Sequence, residues 1–143
     1  MTVKTILSTK GSHVTTTEPT ATLESGIAIL VERGIGALVV LGADQRVIGI
    51  LSERDIVRAL AERGAGALTE PLALSMTRKA SSCTQSEAVN SIMQQMTAGK
   101  FRHMPVVEQE RLVGIVSIGD VVKHRLMAME QESEALHDYI QTS

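Results

Sequence analysis

Arg46-Val-Ile-Gly-Ile-Leu-Ser-Glu-Arg-Asp-Ile-Val57 is written a second time, 65 residues on, as Arg111-Leu-Val-Gly-Ile-Val-Ser-Ile-Gly-Asp-Val-Val122. Six of the twelve positions are identical and four more exchange one aliphatic residue for another; only Glu53/Ile118 and Arg54/Gly119 differ in kind. Working outward, and allowing one residue of slip in the turn, Ile35-Gly-Ala-Leu-Val-Val40 lies over Phe101-Arg-His-Met-Pro-Val106. Further back, Leu23, Ile27 and Leu30 lie over Val89, Met93 and Met96. The repeat covers residues 12–62 and 78–127, so one supersecondary unit has been used twice.

Each copy reads in the same order. Val14 to Thr17 is a short β-favouring stretch closed by Pro19. Leu23, Ile27, Leu30 and Val31 recur at helical spacing, and Gly34 ends that helix. Ala37 to Leu41 is an apolar run of strand length. The turn residues Gly42-Ala43-Asp44 then reverse the chain into an antiparallel strand over Val47 to Leu51. Ser52 opens a second helix. The fold class is therefore α+β, an α/β sandwich of two β-α-β-β-α units. The expected division is 8–64 for the first unit, 65–73 for a linker, 74–129 for the second unit, and 130–143 for an extension of the last helix. One unit alone has a small sheet with helices on one side and cannot cover its own apolar face. Two units packed about a pseudo-twofold axis can, and they leave two related clefts between them, a usual place for ligands.

Composition narrows the function. The 143 residues carry a net charge of −2, which gives no drive toward nucleic acid or an anionic membrane. Phe101 and Tyr139 are the only aromatic residues, too few for a base-stacking platform. Cys83 is the only cysteine, so no internal disulfide can form, which fits a reducing compartment. No signal-peptide pattern follows Lys4 and Lys10, and the apolar run Ala37 to Leu41 is far too short to span a bilayer. The expectation is a cytoplasmic protein with no nucleic-acid or membrane partner. His13, His103, His124 and His137 show no metal-ligand spacing, so no metal is expected.

The strongest local signal is Gly49-x-x-Ser52-x-x-Asp55 and its echo Gly114-x-x-Ser117-x-x-Asp120. Each places Ser at the end of a strand and Asp in the first turn of the following helix. One reading is a capping box, in which Ser and the residue three further on satisfy each other's backbone N–H groups. The other is a ligand site. A helix N-terminus suits a phosphate, and a carboxylate beside it accepts bonds from ribose hydroxyls. Glycine in the strand admits close approach by another backbone or a ligand. Spacing alone leaves both readings open.

The tandem repeat, with Gly-x-x-Ser-x-x-Asp closing each copy and Phe101-Arg-His-Met-Pro-Val106 in the second, resembles a pair of CBS domains, a Bateman module, of the stand-alone bacterial kind. The resemblance implies a regulatory module that binds AMP, ADP, ATP, NAD(H) or, less expected, S-adenosylmethionine, and that pairs into a homodimer. It assigns the ribose to Asp55 and Asp120, with Ser52 and Ser117 near ribose and phosphate. Each cleft takes its Asp from one copy and its base-binding lip from the other. The Asp120 cleft would then comprise Ser8, Ser12, His13, Ile35, Arg102, His103, Ser117 and Asp120. The Asp55 cleft would comprise Thr77, Arg78, Lys79, Phe101, Ala37, Ser52, Arg54 and Asp55. Arg102 and His103 correspond to Gly36 and Ala37 in the first copy, so the Asp120 cleft is expected to hold phosphate better.

Three functions compete at this point. The first is an adenine-nucleotide sensor, the second a structural homodimerisation module with vestigial clefts, and the third an enzyme. The third needs a nucleophile, an acid–base pair or a metal, and the sequence offers no such set, so the expectation is a non-enzymatic regulatory protein.

Overall fold

A computed structural model describes residues 1–78 and 80–142. In chain order the elements are α1 (Val3–Lys10), β1 (Thr16–Thr17), α2 (Leu23–Arg33), β2 (Ala37–Leu41), β3 (Val47–Ser52), α3 (Glu53–Arg63), two 3-10 turns (Gly64–Thr69 and Leu72–Leu74), α4 (Val89–Gly99), β4 (His103–Glu108), β5 (Arg111–Ser117) and α5 (Ile118–Thr142). The result is the expected α+β pair. In the first half β1 runs parallel to β2 and β2 antiparallel to β3, in the order β1-β2-β3; the second half has the antiparallel pair β4-β5. Where β1 would recur, the second half makes only a single parallel bridge, Cys83 to Val106.

The register confirms the internal alignment. Ala37 pairs with Ser52 as His103 pairs with Ser117, and both hairpins shift register at the same place, after Val40 and after Val106. The bulge is kept in both copies, and the one-residue slip lies in the turn, which is one residue longer between Leu41 and Val47 than between Val107 and Leu112.

Local chemistry sets the helix ends. The Thr22 side chain accepts from the Ser25 N–H at 3.1 Å, and Gly34, at φ 63°, closes α2. The buried stripe of α2 is Leu23, Gly26 and Leu30, with Ile27 partly buried. Val31 departs from the sequence reading and is 77 % exposed. Close packing is centred on Gly26, where a Cβ would stand 3.0 Å from Leu51. Val31, five residues on, lies about 140° round the helix from that contact.

The halves are stitched together by exchanged segments. Helix α1 was not anticipated from the sequence. Its Val3, Ile6 and Leu7 are buried in the core of the second half, among Cys83, Ile92, Met96, Met104 and Val116. Conversely Leu72 and Met76 are buried in the core of the first half, among Leu23, Leu38, Leu51 and Ile56. Backbone pairing repeats the exchange: Val3 N–H donates to the Glu87 carbonyl and Val89 N–H to Met1, while Leu23 N–H donates to Glu70 and Leu72 N–H to Ala21. The stretch read as a linker, 65–73, is mostly short-helical, with Ala67 and Leu72 fully buried.

Two glycines make the exchange possible. A Cβ at Gly49 would stand 2.8 Å from the Met76 sulfur and 2.8 Å from the Thr77 carbonyl; one at Gly114 would stand 2.7 Å from Leu7 Cδ2. The glycine of each Gly-x-x-Ser-x-x-Asp motif is therefore where the partner half's segment crosses the strand.

Candidate functional site

Each motif aspartate sits in the first turn of the helix that follows the last strand of its half. Ser52 caps α3: its N–H donates to Asp55 Oδ2 at 2.9 Å, and its hydroxyl accepts from the Asp55 N–H at 3.4 Å. Ser117 and Asp120 repeat this on α5, with Ser117 N–H to Asp120 Oδ2 at 2.9 Å and Asp120 N–H to Ser117 Oγ at 3.2 Å. The capping-box reading is thus realised in both copies. It does not exhaust either carboxylate, since each retains lone pairs for a further donor.

What takes those lone pairs differs between the copies. Asp55 is 5 % exposed. Its Oδ2 also accepts from the Ser52 hydroxyl at 3.0 Å, and its Oδ1 accepts from the Thr77 hydroxyl at 2.9 Å. Thr77 is held there because its backbone pairs in both directions with Ile50 of β3. Asp120 keeps 21 % of its side chain exposed and pairs with Lys10, whose Nζ lies 2.8 Å from Oδ2 and 3.0 Å from the Ile115 carbonyl. Burial acts to raise the Asp120 carboxyl, but the bond and charge of Lys10 and two bonds from Ser117 outweigh it and hold the group below its ordinary value.

His103 completes this corner. Its ring lies across the junction against Gly36 of the first half, where a Cβ would stand 3.1 Å from Cε1 and 3.5 Å from Glu53 Oε1. Burial depresses the His103 imidazole below its ordinary value; Lys10 and Arg102 act the same way, while Glu53 and Asp120 oppose them. Arg102 is exposed just before β4, and its carbonyl accepts the first N–H of α5, as the Gly36 carbonyl accepts that of α3.

The remaining sequence candidates are scattered in role. Ser8 turns its hydroxyl back to the Thr5 carbonyl, 2.8 Å away within α1, and Ser12 and His13 are exposed in the loop that follows. Ile35 and Phe101 are partly buried against the first and second cores respectively. Ala37 is buried and offers no polar group. Arg54 reaches across to the Lys100 carbonyl at the end of α4, and Arg78 is exposed. Lys79 lies outside the described residues. Among the described residues no cluster of His, Cys, Asp and Glu is placed to hold a metal, and no helix is long and apolar enough to cross a membrane.

Lys10 lies in the segment Ser8 to Val14 that the sequence reading gives to the Asp120 cleft, but only the structure singles it out, as the partner of Asp120. The signal was present in the chain order: Leu7 stands to Gly114 as Met76 stands to Gly49, and a lysine follows each three residues on in the sequence. Two loops of unequal length hide the correspondence, because the chain from Lys10 to the first β pairing is longer than that from Lys79 to Cys83.

Comparison with known proteins places the architecture. A CBS-domain family model matches twice, at residues 3–62 and 72–126. The CBS domain-containing protein CBSX3, mitochondrial, of Arabidopsis thaliana is 33% identical over 124 residues, which cover 84% of this chain and 60% of that protein. The crystal structure of the CBS-domain containing protein ATU1752 from Agrobacterium tumefaciens superposes with a TM-score of 0.84 at 43% identity, covering 87% of this chain and 92% of that one. The CBS domain pair of MJ0100, solved with 5'-methylthioadenosine and S-adenosylmethionine, superposes with a TM-score of 0.78 at 25% identity, covering 91% and 98%. Two family matches that span both halves, and a shared fold, settle the assignment: the chain belongs to the CBS-domain family, as a tandem pair of its repeats.

Proposed function

We propose that this chain is a regulatory module that binds an adenine nucleotide in the Asp120 cleft and carries no catalytic activity of its own. The observation that carries the reading is the difference between the two motif carboxylates. Asp55 is buried, with both oxygens bonded to Ser52 and Thr77, and acts as a structural lock. Asp120 is partly open to solvent, at a helix N-terminus, with Lys10, Arg102 and His103 beside it. Ribose hydroxyls and a phosphate suit that combination, and the related MJ0100 pair was solved with adenosine ligands. AMP, ADP, ATP and NAD(H) are the proposed ligands, ahead of S-adenosylmethionine. Regulation is favoured over catalysis because the motif serines are spent as helix caps. The one thiol, Cys83, is buried and pushed up to about 12 by burial and by Glu87 and Glu108.

The same reading includes pairing of two copies. Val122, Leu126 and Met127 are exposed on α5 and, with Ile118, line an open apolar groove of about 540 Å³. A second copy covering this face would turn ligand-dependent movement of the halves into a change at a dimer surface.

Thermal unfolding against AMP, ADP, ATP, NAD, GTP and S-adenosylmethionine tests the proposal. A ligand at a hundred times its Kd adds about 2.7 kcal/mol. A rise in Tm with adenine ligands, lost in Asp120→Ala and kept in Asp55→Ala, is the expected result. No rise with any of them leaves a structural dimerisation module.

A further inference from the structure

We propose that Lys10 makes the Asp120 cleft selective for adenine ligands with an anionic 5' group, because Lys10 exchanges its carboxylate partner for the ligand's phosphate. The inference rests on the proposed binding of an adenosine ligand at Asp120. It begins from the atom in contention. Asp120 Oδ2 accepts from the Ser117 N–H at 2.9 Å and from Lys10 Nζ at 2.8 Å. A ribose brings two neighbouring hydroxyl donors: one can take Oδ1, and the other competes with the ammonium for the lone pairs of Oδ2. The Ser117 bond belongs to the helix cap and stays; the Lys10 bond is the one that yields.

The displaced ammonium then needs a partner. Its second acceptor, the Ile115 carbonyl at 3.0 Å, is neutral. The titratable groups facing this corner are Arg102 and His103 of the same half and Glu53 of the other. With Asp120 engaged by hydroxyls its charge remains, but it no longer touches Lys10, so the ammonium is left without a direct anionic partner. A phosphate supplies the missing anion, and the long flexible lysine stem can follow it. A methylthio group supplies no charge, so Lys10 is left less well paired than before. A sulfonium adds a further positive charge. One residue thus ranks the ligand classes as phosphorylated, then neutral, then cationic. Lys10 is only about one-third exposed, so water makes up part of the lost pairing but not all of it.

The neighbouring cleft has no such device among the described residues. There Thr77, a neutral hydroxyl, bonds Asp55 Oδ1, and no ion pair has to break.

Calorimetric titration of AMP, 5'-methylthioadenosine and S-adenosylmethionine into the full chain and into Lys10→Met, Lys10→Arg and Asp120→Ala tests the exchange. The full chain is expected to prefer AMP. Lys10→Met should lose about tenfold in AMP affinity, the scale of one charge-assisted hydrogen bond, while affinity for 5'-methylthioadenosine holds or rises. Lys10→Arg should keep the preference. Equal loss of all ligands in Lys10→Met, or an unchanged ratio between AMP and 5'-methylthioadenosine, overturns the exchange while leaving the Asp120 site intact. Absence of binding by every ligand, or binding that survives Asp120→Ala, overturns the site and the exchange with it. Circular dichroism of each variant separates these results from loss of fold.

Discussion

Replacing each motif aspartate by alanine should split stability from binding, and in opposite directions. Asp55→Ala removes the acceptor for the Ser52 N–H, the Ser52 hydroxyl and the Thr77 hydroxyl at a site 5 % exposed. Loss of the cap costs about 1 kcal/mol. A buried donor left without a partner costs about 1–3 kcal/mol, and the freed hydroxyls can turn to recover part of it. The sum is about 2–4 kcal/mol. At about 3 °C per kcal/mol for a chain of this length, Tm should fall by about 6–12 °C. Asp120→Ala also loses a cap, but its side chain is 21 % exposed and Lys10 can turn to water. About 1 kcal/mol, or about 3 °C, is expected. Differential scanning calorimetry measures both shifts, and nucleotide titration well below each Tm measures binding. Asp120→Ala should lose the ligand at little cost in Tm; Asp55→Ala should keep the ligand at a clearly lower Tm. Equal Tm losses, or a larger one for Asp120→Ala, would refute the claim that the two carboxylates have diverged into lock and site.

The remaining expectations concern other parts of the chain. Leu7→Ala should cost about 2–4 kcal/mol although Leu7 lies outside the repeated sequence, because the side chain is buried in the second core over Gly114; chemical denaturation would show it. Cys83, its thiol pushed up to about 12, should react with a disulfide reagent at pH 8 only as fast as the chain opens, and at the rate of a free thiol in denaturant. The depressed His103 imidazole makes stability fall with acid. Above about pH 6.5 the group is neutral in folded and unfolded chain alike; below it the unfolded chain takes up the proton first, so Tm drops until the folded imidazole protonates too. In His103→Asn the slope of Tm between pH 7.5 and 5.5 should be shallower, and an unchanged slope would count against it. Leu126→Asp should yield a monomer by light scattering if two copies meet over α5.

Much of this molecule was already determined by the sequence. A repeat with ten of twelve positions kept or conservatively exchanged fixes two like units, and apolar period and turn residues fix their elements, since these signals act within a few residues along the chain. The bounds of β2 and the caps at Ser52 and Gly34 were legible for that reason. Helix α1 was not. Val3, Ile6 and Leu7 are its only buried positions, and their burial depends on a core assembled from residues 83–121, far along the chain. The Gly-x-x-Ser-x-x-Asp motif shows the same division. Sequence made the two copies of the motif alike, set them apart only by Arg102 and His103 against Gly36 and Ala37, and left cap and ligand site as alternatives. Resemblance assigned Thr77 to the Asp55 cleft, but the bonds of Thr77 to Asp55 and of Lys10 to Asp120 appear only in the tertiary structure, because each partner arrives on a segment exchanged from the other half. Local chemistry placed the two carboxylates; which of them is sealed and which stands beside a cation was decided by contacts between residues 22 and 110 positions apart.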